Sequence, residues 1–219
     1  MDRSADIAKL KEKLKVIEIK NMEIDDKVLR RYLVAHRKVD AAFEKILATD
    51  KWREEFGVAQ LTGDSPGVKR SQGHRVYRLL DAKDKLGRPV GYILARNHSF
   101  RKRNLEDLTQ FIVWKMEEGC ARCQESGIEN TCALYDLKGF TLASLDYPLL
   151  RVLYSTLIDH YPERLGVCLV LNAPAFFPPI WAILRTWLDE NSASKIKFIK
   201  NDEELATYVD LSIIPTDMD

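Results

Sequence analysis

The segment between Val167 and Leu188 constrains the fold more than any other, because it concentrates apolar side chains that need a covering partner. A strand-like run, Val167–Leu171, leads into a stretch rich in Phe, Trp, Ile and Pro. From about Pro178 to Leu188 the spacing predicts a helix with apolar side chains on nearly every face. A helix of this kind is either buried in a core or lies against lipid, so it also suits the lid of an apolar ligand site.

The lid hypothesis rests on a small group of side chains in and just before this helix. One stripe of the helix and the residue beside its start supply the candidates, which are Phe176, Phe177, Ile180, Trp181, Leu184 and Leu188. Spacing alone favours an ordinary core helix, and the lid is the more specific alternative.

Length and charge limit the classes of protein to which the chain can belong. With 219 residues it forms one large domain, or one domain with a small accessory piece. A formal net charge of +1 argues against a nucleic-acid-binding protein that works through its overall charge. No segment reaches the roughly 18 to 20 apolar residues of a membrane span, and the polar N-terminus does not resemble a signal peptide. The expected compartment is the cytoplasm, unless the chain is a domain excised from a longer, anchored protein.

Hydrophobic periodicity divides the chain into a helical part and a part in which strands and helices alternate. Residues 1–60 predict a small helical bundle, with Asp40 as the N-cap of the third helix and Gly57 as its end. The stretch Thr62–Gly73 contains Gly, Ser and Pro and is expected to be a loop. A hairpin around residues 76–94 and later strands alternating with helices predict an α/β sheet with largely parallel pairing.

The sequence contains none of the common catalytic or phosphate-cradling motifs, and it nominates no nucleophile with a base, so no enzyme activity is expected. Cys120 and Cys123 have the spacing of redox or zinc-binding pairs, but no second pair completes a metal site. They are interpreted as reduced structural thiols. Neither a metal nor a cofactor is expected.

Three groups of charged residues are candidates for contact with anions. The pair Arg37-Lys38 ends the second helix, where the helix dipole also favours cations. The run Arg101–Arg103 is either a solvated loop or a contact for anionic lipid headgroups. Glu163 and Lys195 precede consecutive strands and could approach each other in a parallel unit, as a structural ion pair or as part of a pocket in which the lysine meets a phosphate.

Four short segments, ordered along almost the whole chain, carry a resemblance to a known family. They are Leu29–Asp40 with Trp52-Arg53, then Tyr135–Phe140, then Tyr161–Gly166 with Leu171–Pro174, and finally Ser194–Phe198. Together they resemble the CRAL-TRIO family of lipid-binding proteins. That family includes phosphatidylinositol and phosphatidylcholine transfer proteins and the carriers of tocopherol and retinal.

The resemblance implies a helical N-terminal subdomain, residues 1–60, followed by an α/β lipid-binding domain with a largely parallel sheet, residues 70–219. One lipid would lie in a hydrophobic cavity behind a mobile gate helix, which corresponds to the helix from about Pro178 to Leu188. The position of the apolar segment between Glu163 and Lys195 then favours the lid over the core helix. A charged residue at Phe177 or Trp181 is expected to impair lipid exchange more than folding.

The resemblance also implies a headgroup site for an inositol lipid. In phosphatidylinositol-binding relatives this site uses a basic pair, a Glu, a Lys and a hydroxyl residue shortly before that Lys, which match Arg37, Lys38, Glu163, Lys195 and Ser192. Relatives that also hold phosphatidylcholine carry two hydroxyl residues before the Asp-Leu-Lys-Gly motif. Thr131 matches the first, but Ala133 replaces the second. This departure favours phosphatidylinositol or a phosphoinositide as the bound lipid.

The expected function is to bind one phospholipid and to transfer or present it at membranes. The alternatives are a lipid-sensing adaptor or tether, a carrier of another small hydrophobic ligand such as tocopherol or retinal, and a plain interaction domain with a collapsed pocket. The expected partners are a phospholipid and, transiently, a membrane surface, with no nucleic acid and with protein partners undetermined.

Overall fold

The computed structural model describes residues 3–215, which form nine helices and five strands. The helices are α1 (Ser4–Leu14), α2 (Asp26–His36), α3 (Val39–Phe56), α4 (Pro66–Gln72), α5 (Leu105–Glu125), α6 (Tyr147–His160), α7 (Phe177–Arg185), α8 (Glu190–Ser194) and α9 (Asp202–Leu205). The strands are β1 (Tyr77–Lys83), β2 (Pro89–Leu94), β3 (Thr131–Asp136), β4 (Leu165–Leu171) and β5 (Ile196–Phe198). Residues 1–2 and 216–219, the outer ends of the two predicted domains, lie outside the described residues.

The five strands form one sheet in the order β1-β2-β3-β4-β5. The hairpin β1-β2 is antiparallel, and the other three pairs are parallel, with helices in each connection. This arrangement confirms the predicted fold class, a helical N-terminal part followed by an α/β part with a largely parallel sheet. Because the carboxyl ends of β2, β3, β4 and β5 meet at one edge, residues that follow these strands lie near each other.

The N-terminal helices form a core of their own. The helix α2 begins where the Asp25 carboxylate accepts a 2.7 Å hydrogen bond from the Val28 amide, and α3 ends at Gly57, whose φ of +72° suits only glycine well. Apolar side chains spaced by three and four residues turn inward from all three helices. The buried members are Ile7, Leu10, Leu14, Leu29, Tyr32, Leu33, Ala42 and Ile46.

The two faces of the sheet are covered by different parts of the chain. The back face, which carries Leu134 and Leu169, packs against Leu205 and Val209 from the C-terminal region. The front face, which carries Tyr135 and Val170, packs against the helix α7. Each fully buried aliphatic side chain in these layers contributes roughly 2 kcal/mol to stability.

One carboxylate joins the N-terminal helices to the sheet domain. Glu117 on α5 accepts hydrogen bonds from Arg53 Nη1 and Nη2, at 2.8 and 2.9 Å, and from the Tyr161 hydroxyl at 2.6 Å. Beside this Glu117 junction, the rings of Trp52 and His160 stack with centroids 3.9 Å apart. The helices α3, α5 and the end of α6 are therefore held in one fixed arrangement.

The structure corrects three predicted boundaries. Residues 66–72, predicted within a loop, form α4, which packs on α5. The third helix starts at Val39 with Lys38 at the N-cap position, so Asp40 lies in the first turn and is not the cap. The helix α7 ends at Arg185, and Leu188 lies beyond it in the link to α8.

Candidate functional site

Glu163 and Lys195 form an ion pair where β4 and β5 begin. The Lys195 Nζ lies 2.8 Å from Glu163 Oε2, and the two side chains are 18% and 23% exposed. Asn191 Nδ2 donates a further 3.1 Å hydrogen bond to Glu163 Oε1. The Lys195 carbonyl accepts a hydrogen bond from the Cys168 amide, which continues the pairing of the two strands. The expected approach of these two residues is therefore present, and it leaves the lysine partly accessible.

The two hydroxyl candidates already have partners within the protein. The Ser192 hydroxyl donates to Asp189 Oδ2 at 2.6 Å, in the cap of the short helix α8. The Thr131 hydroxyl donates to the Arg164 carbonyl at 3.2 Å, which places it next to Glu163 along the chain. A ligand that used either hydroxyl as a donor would have to replace these bonds.

The basic pair Arg37-Lys38 lies on the exposed corner between α2 and α3. Arg37 has a φ of +62°, and its carbonyl accepts a hydrogen bond from Arg3 Nη1. The corner lies alongside α6, because Lys45 Nζ is 2.5 Å from Asp159 Oδ1. Within residues 3–215 no hydrogen bond or ion pair joins this corner to Glu163 or Lys195, so the structure does not bring the whole predicted headgroup set together.

The helix α7 has one buried side and one exposed side. Phe177 and Ile180 are each 7% exposed, and the Phe177 and Trp181 rings contact Phe198 of β5 with centroid distances of 6.0 and 5.4 Å. Leu184 is half-buried on the same side, and Leu188 is half-buried beyond the helix end. Phe176 and Ile183 are 42% and 50% exposed. The segment is thus partly core and partly an exposed apolar surface.

The loop after α7 rests on the start of α6. The ring centroids of Trp187 and Tyr147 lie 6.3 Å apart, and the Arg151 guanidinium lies 5.6 Å from the Trp187 ring. This cation–π contact and the ring contact tie the end of α7 to a second helix across the front face. An outward movement of α7 would break these contacts together with those of Phe177 and Trp181 to Phe198.

Two side chains on the front face were not predicted from the sequence. Burial raises the pKa of the Tyr135 hydroxyl to about 12 and that of the Cys168 thiol to about 12, yet both side chains keep part of their accessible surface. Both side chains pack against the front-face cluster that α7 covers, so they lie between the sheet and α7 without being fully enclosed.

The helix α6 lies along the same side of the sheet as α7, and its apolar side chains are likewise only partly covered. Its apolar side chains Leu150, Leu153, Tyr154 and Leu157 are only half-buried, and Thr156 is its one buried residue. Half-buried apolar side chains on a helix that flanks α7 are available to contact an apolar ligand. No signal in the sequence distinguished them from the outer face of a core helix.

The Asp136 carboxylate organises the carboxyl ends of the central strands. It accepts hydrogen bonds from the Tyr92 hydroxyl at 2.7 Å, from Asn172 Nδ2 at 2.8 Å and from the Lys138 amide at 2.8 Å. These bonds connect the ends of β2, β3 and β4. The Asp-Leu-Lys-Gly motif, noted only for its resemblance, therefore has a structural role.

Cys120 and Cys123 are free thiols in the helix α5. Burial raises the pKa of Cys120 to about 11, so its reactive thiolate is suppressed at neutral pH. Among the described residues, no cluster of His, Cys, Asp and Glu could hold a metal ion. Within residues 3–215, none of the helices combines the length and apolar character required to span a bilayer.

Comparison with known proteins yields one family and a consistent set of relatives. A family model of the CRAL/TRIO domain matches residues 75–219. The chain is 32% identical over 196 residues to CRAL-TRIO domain-containing protein C3H8.02 of Schizosaccharomyces pombe, covering 86% of this chain and 44% of that protein. It is 27% identical over 203 residues to phosphatidylinositol transfer protein CSR1 of Eremothecium gossypii, covering 88% and 46%. The chain therefore spans slightly less than half the length of these two relatives.

A third relative and a solved structure extend the comparison. SEC14 cytosolic factor of Kluyveromyces lactis is 30% identical over 208 residues, which cover 86% of this chain and 68% of that protein. The crystal structure of Sfh5 superimposes with a TM-score of 0.80 at 16% identity, covering 94% of this chain and 82% of that chain, and supports the fold. On the family match and these identities, the chain belongs to the CRAL/TRIO domain family.

Proposed function

We propose that the protein binds one phospholipid between α7 and the front face of the sheet, with α7 moving outward to admit it, and that it transfers or presents this lipid at membranes without catalysis. The observation that carries the proposal is the two-sided helix α7. Phe177, Ile180 and Trp181 cover the front face, while Phe176 and Ile183 present apolar surface outward. A relative is named a phosphatidylinositol transfer protein, which agrees with this assignment.

The energetics of a lipid require such a two-sided helix. A diacyl lipid hides roughly 30 methylenes at about 0.8 kcal/mol each, a free energy on the order of 20 kcal/mol. Release into water would be too slow for transport, so the tails have to pass from the cavity to a bilayer directly. A cover that is apolar on both sides permits this passage, and it implies transient contact with a membrane. Relatives named cytosolic factors support a cytoplasmic site of action.

We propose phosphatidylinositol or a phosphoinositide as the lipid. Lys195 is partly accessible beside Glu163, and a lysine ammonium is a good donor to a phosphate. Arg37 and Lys38 supply exposed cations at the corner between α2 and α3. Ser192 and Thr131 flank the ion pair. Ala133, which pairs with Cys168 in the sheet, has no side-chain hydroxyl for a phosphatidylcholine headgroup. The headgroup residues become one site only if α8 and the α2–α3 corner adjust when lipid binds.

Replacing Lys195 by alanine is expected to weaken phosphatidylinositol uptake by ten- to a hundredfold, since a hydrogen bond to a charged group is worth about 1.5–3 kcal/mol. The matched control is Lys197→Ala, which removes an exposed lysine two residues away on β5. Uptake is measured by native mass spectrometry after incubation with vesicles that contain phosphatidylinositol. Arg37→Ala should weaken uptake by a smaller factor, because the corner is exposed.

The same experiment separates the competing functions. Equal phosphatidylinositol uptake by wild type, Lys195→Ala and Arg37→Ala would refute the headgroup assignment. A protein that carries no lipid after purification and takes up none would refute the lipid-binding function itself. Uptake without transfer between donor and acceptor vesicles would indicate a lipid sensor or tether. To exclude a loss caused by an unpaired Glu163, the double variant Glu163→Gln with Lys195→Met is measured in parallel, and it should also lose uptake.

A further inference from the structure

The turn Ser99–Arg103 presents an aromatic ring and cations to solvent. The Ser99 carbonyl accepts hydrogen bonds from the Lys102 and Arg103 amides at 3.1 and 3.2 Å, which closes the turn with Phe100 and Arg101 at its tip. Phe100 is 40% exposed, and the Arg101 guanidinium lies 5.6 Å from its ring. A closed turn that holds an aromatic ring outward has no role in the core.

A cavity of about 170 Å³ lies behind the turn, between α4 and the start of α5. Its polar lining includes Arg70, His74, His98, Lys102, Arg103, Asn104 and the carboxylate of Asp107. The cavity is partly open to solvent, and cationic and amide donors around a space of this size suit a phosphate group.

Most of the charged side chains around the cavity are already held in ion pairs. Arg70 holds Asp107 through two hydrogen bonds of 2.6 and 2.7 Å, and Arg103 holds the buried Asp146 through bonds of 2.7 and 2.9 Å. His98 Nε2 completes the second cluster at 3.1 Å from Asp146. These pairs fix the walls of the cavity and occupy both arginines of its lining, so the lining cation that would meet an anion is Lys102.

The remaining charges on this face are mostly positive. Arg75, Arg101 and Lys102 are exposed. Asn97 Nδ2, in the cavity wall, donates a 3.0 Å hydrogen bond to the Arg75 carbonyl. The nearby exposed carboxylate is Glu106 in the first turn of α5. Three cations against one carboxylate make this face distinctly basic in a chain whose formal net charge is only +1.

The turn Ser99–Arg103 and the loop after α7 both contact the start of α6. Arg103 bonds Asp146, and Asp146 caps α6 by accepting from the Leu149 amide at 3.1 Å. The next residue, Tyr147, is 38% exposed and contacts Trp187 just beyond α7. A surface that touched Phe100 would therefore lie close to the apolar surface of α7.

We propose that the turn Ser99–Arg103 and the cavity behind it form a second membrane contact, which binds the headgroups of anionic phospholipids in a bilayer. Phe100 enters the interface, Arg101 and Lys102 pair with lipid phosphates, and the cavity receives one of them. The inference rests on the proposed function, because a lipid carrier has to dock on the membrane with which it exchanges. It adds the lipid class of that membrane and a contact outside the carried lipid's cavity.

The test compares vesicle sedimentation of wild type and variants on phosphatidylcholine vesicles with and without phosphatidylserine. The double variant Arg101→Ala with Lys102→Ala should bind phosphatidylserine vesicles roughly 30-fold more weakly, at about 1 kcal/mol per basic residue near the surface and a factor of ten per 1.4 kcal/mol. Its binding to pure phosphatidylcholine should be unchanged. Phe100→Ala should weaken binding to both vesicles by about tenfold.

Matched controls separate a local contact from overall charge and exposure. The pair Lys9→Ala with Lys27→Ala removes two exposed lysines from the N-terminal helices, and Leu86→Ala shortens an exposed side chain on the β1–β2 turn. Both controls should bind like wild type. Equal loss in the lysine control, or full binding by the Arg101 and Lys102 variant, would overturn the inference. Should that variant unfold, the glutamine pair at the same positions replaces it.

Lipid content, measured on the same samples by native mass spectrometry, distinguishes the two proposals. A wild type that takes up lipid but does not prefer phosphatidylserine vesicles refutes this inference alone. A wild type that takes up no lipid refutes the proposed function, whatever its vesicle binding.

Discussion

Replacing Phe176 and Ile183 by aspartate is expected to reduce lipid transfer between vesicles at least tenfold while leaving the fold intact. Ile183 is exposed, so its loss should change the free energy of unfolding by no more than about 0.5 kcal/mol. Loss of Phe176 should cost about 1 kcal/mol, because its ring also stacks on Phe140 with centroids 6.4 Å apart. Two carboxylates at the bilayer contact would replace apolar burial with a desolvation penalty and with repulsion from anionic lipids. Transfer is measured with a fluorescent phospholipid, and stability is measured by thermal unfolding.

The matched control for this variant is the pair Val16→Asp with Leu86→Asp, which adds the same charge at exposed apolar positions elsewhere. The control should transfer lipid like wild type. Phe177→Asp forms a contrast. The sequence suggested that a charge at this position would impair lipid exchange more than folding, but Phe177 is buried against Phe198, so an unpaired carboxylate there should unfold the front face. Normal transfer by the Phe176 and Ile183 variant would show that α7 does not contact the membrane.

Replacing Glu117 by alanine is expected to lower the free energy of unfolding by about 2–3 kcal/mol, which corresponds to roughly 5–10 °C in Tm. Arg53, only 17% exposed, would lose both of its charged hydrogen bonds, and the Tyr161 hydroxyl would lose its acceptor. Glu117→Gln keeps an acceptor for Tyr161 and should cost less. The free energies of unfolding of wild type, Glu117→Ala and Glu117→Gln are measured by urea denaturation. A loss below about 0.5 kcal/mol in Glu117→Ala would mean that the junction does not hold the subdomains together.

The Glu117 junction also predicts a pH dependence. Burial raises the pKa of Glu117, but the hydrogen bonds from Arg53 and Tyr161 outweigh burial and hold the pKa below its ordinary value. The carboxylate therefore contributes its full stability above the unfolded pKa of about 4.3, and this contribution is lost as the pH falls through the lower folded value. Glu117→Gln should lack that part of the acid destabilisation. If the free energies of unfolding of wild type and Glu117→Gln fell equally as the pH is lowered, this account would be contradicted.

Local patterns in the sequence were sufficient for most elements but not for α4. Residues 66–73 contain Pro66, Gly67 and Gly73, which are typical of loops, and the helix α4 exists because it packs on α5. A Cβ on Gly67 would lie 2.3 Å from Gln110 Oε1 and 3.1 Å from the Asp107 Cα, so glycine is required for this close approach. A contact with a segment forty residues away leaves no trace in the local pattern.

The candidate site shows the same division between local and distant information. The approach of Glu163 and Lys195 follows from parallel pairing of consecutive strands, and the sequence predicted it. The Glu117 junction was missed, because its three residues lie on three separate elements and each is unremarkable alone. Tyr135 and Cys168 were missed for another reason: strand residues that are only partly covered by α7 have the same periodicity as those in a fully packed core.

The two coverings of the sheet have a consequence for the order in which the chain can fold. The core of α1, α2 and α3 uses residues within the first quarter of the sequence and can form as soon as they are synthesised. Among the described residues, the back face, with Cys132, Leu134 and Leu169, is covered by the C-terminal region, in which Leu205 and Val209 are the buried members and Tyr208, Ile213 and Ile214 pack beside them. During translation this apolar surface stays open until those residues leave the ribosome. A nascent or truncated chain that stops before Leu205 should therefore require a chaperone or aggregate, although its N-terminal helices are already folded.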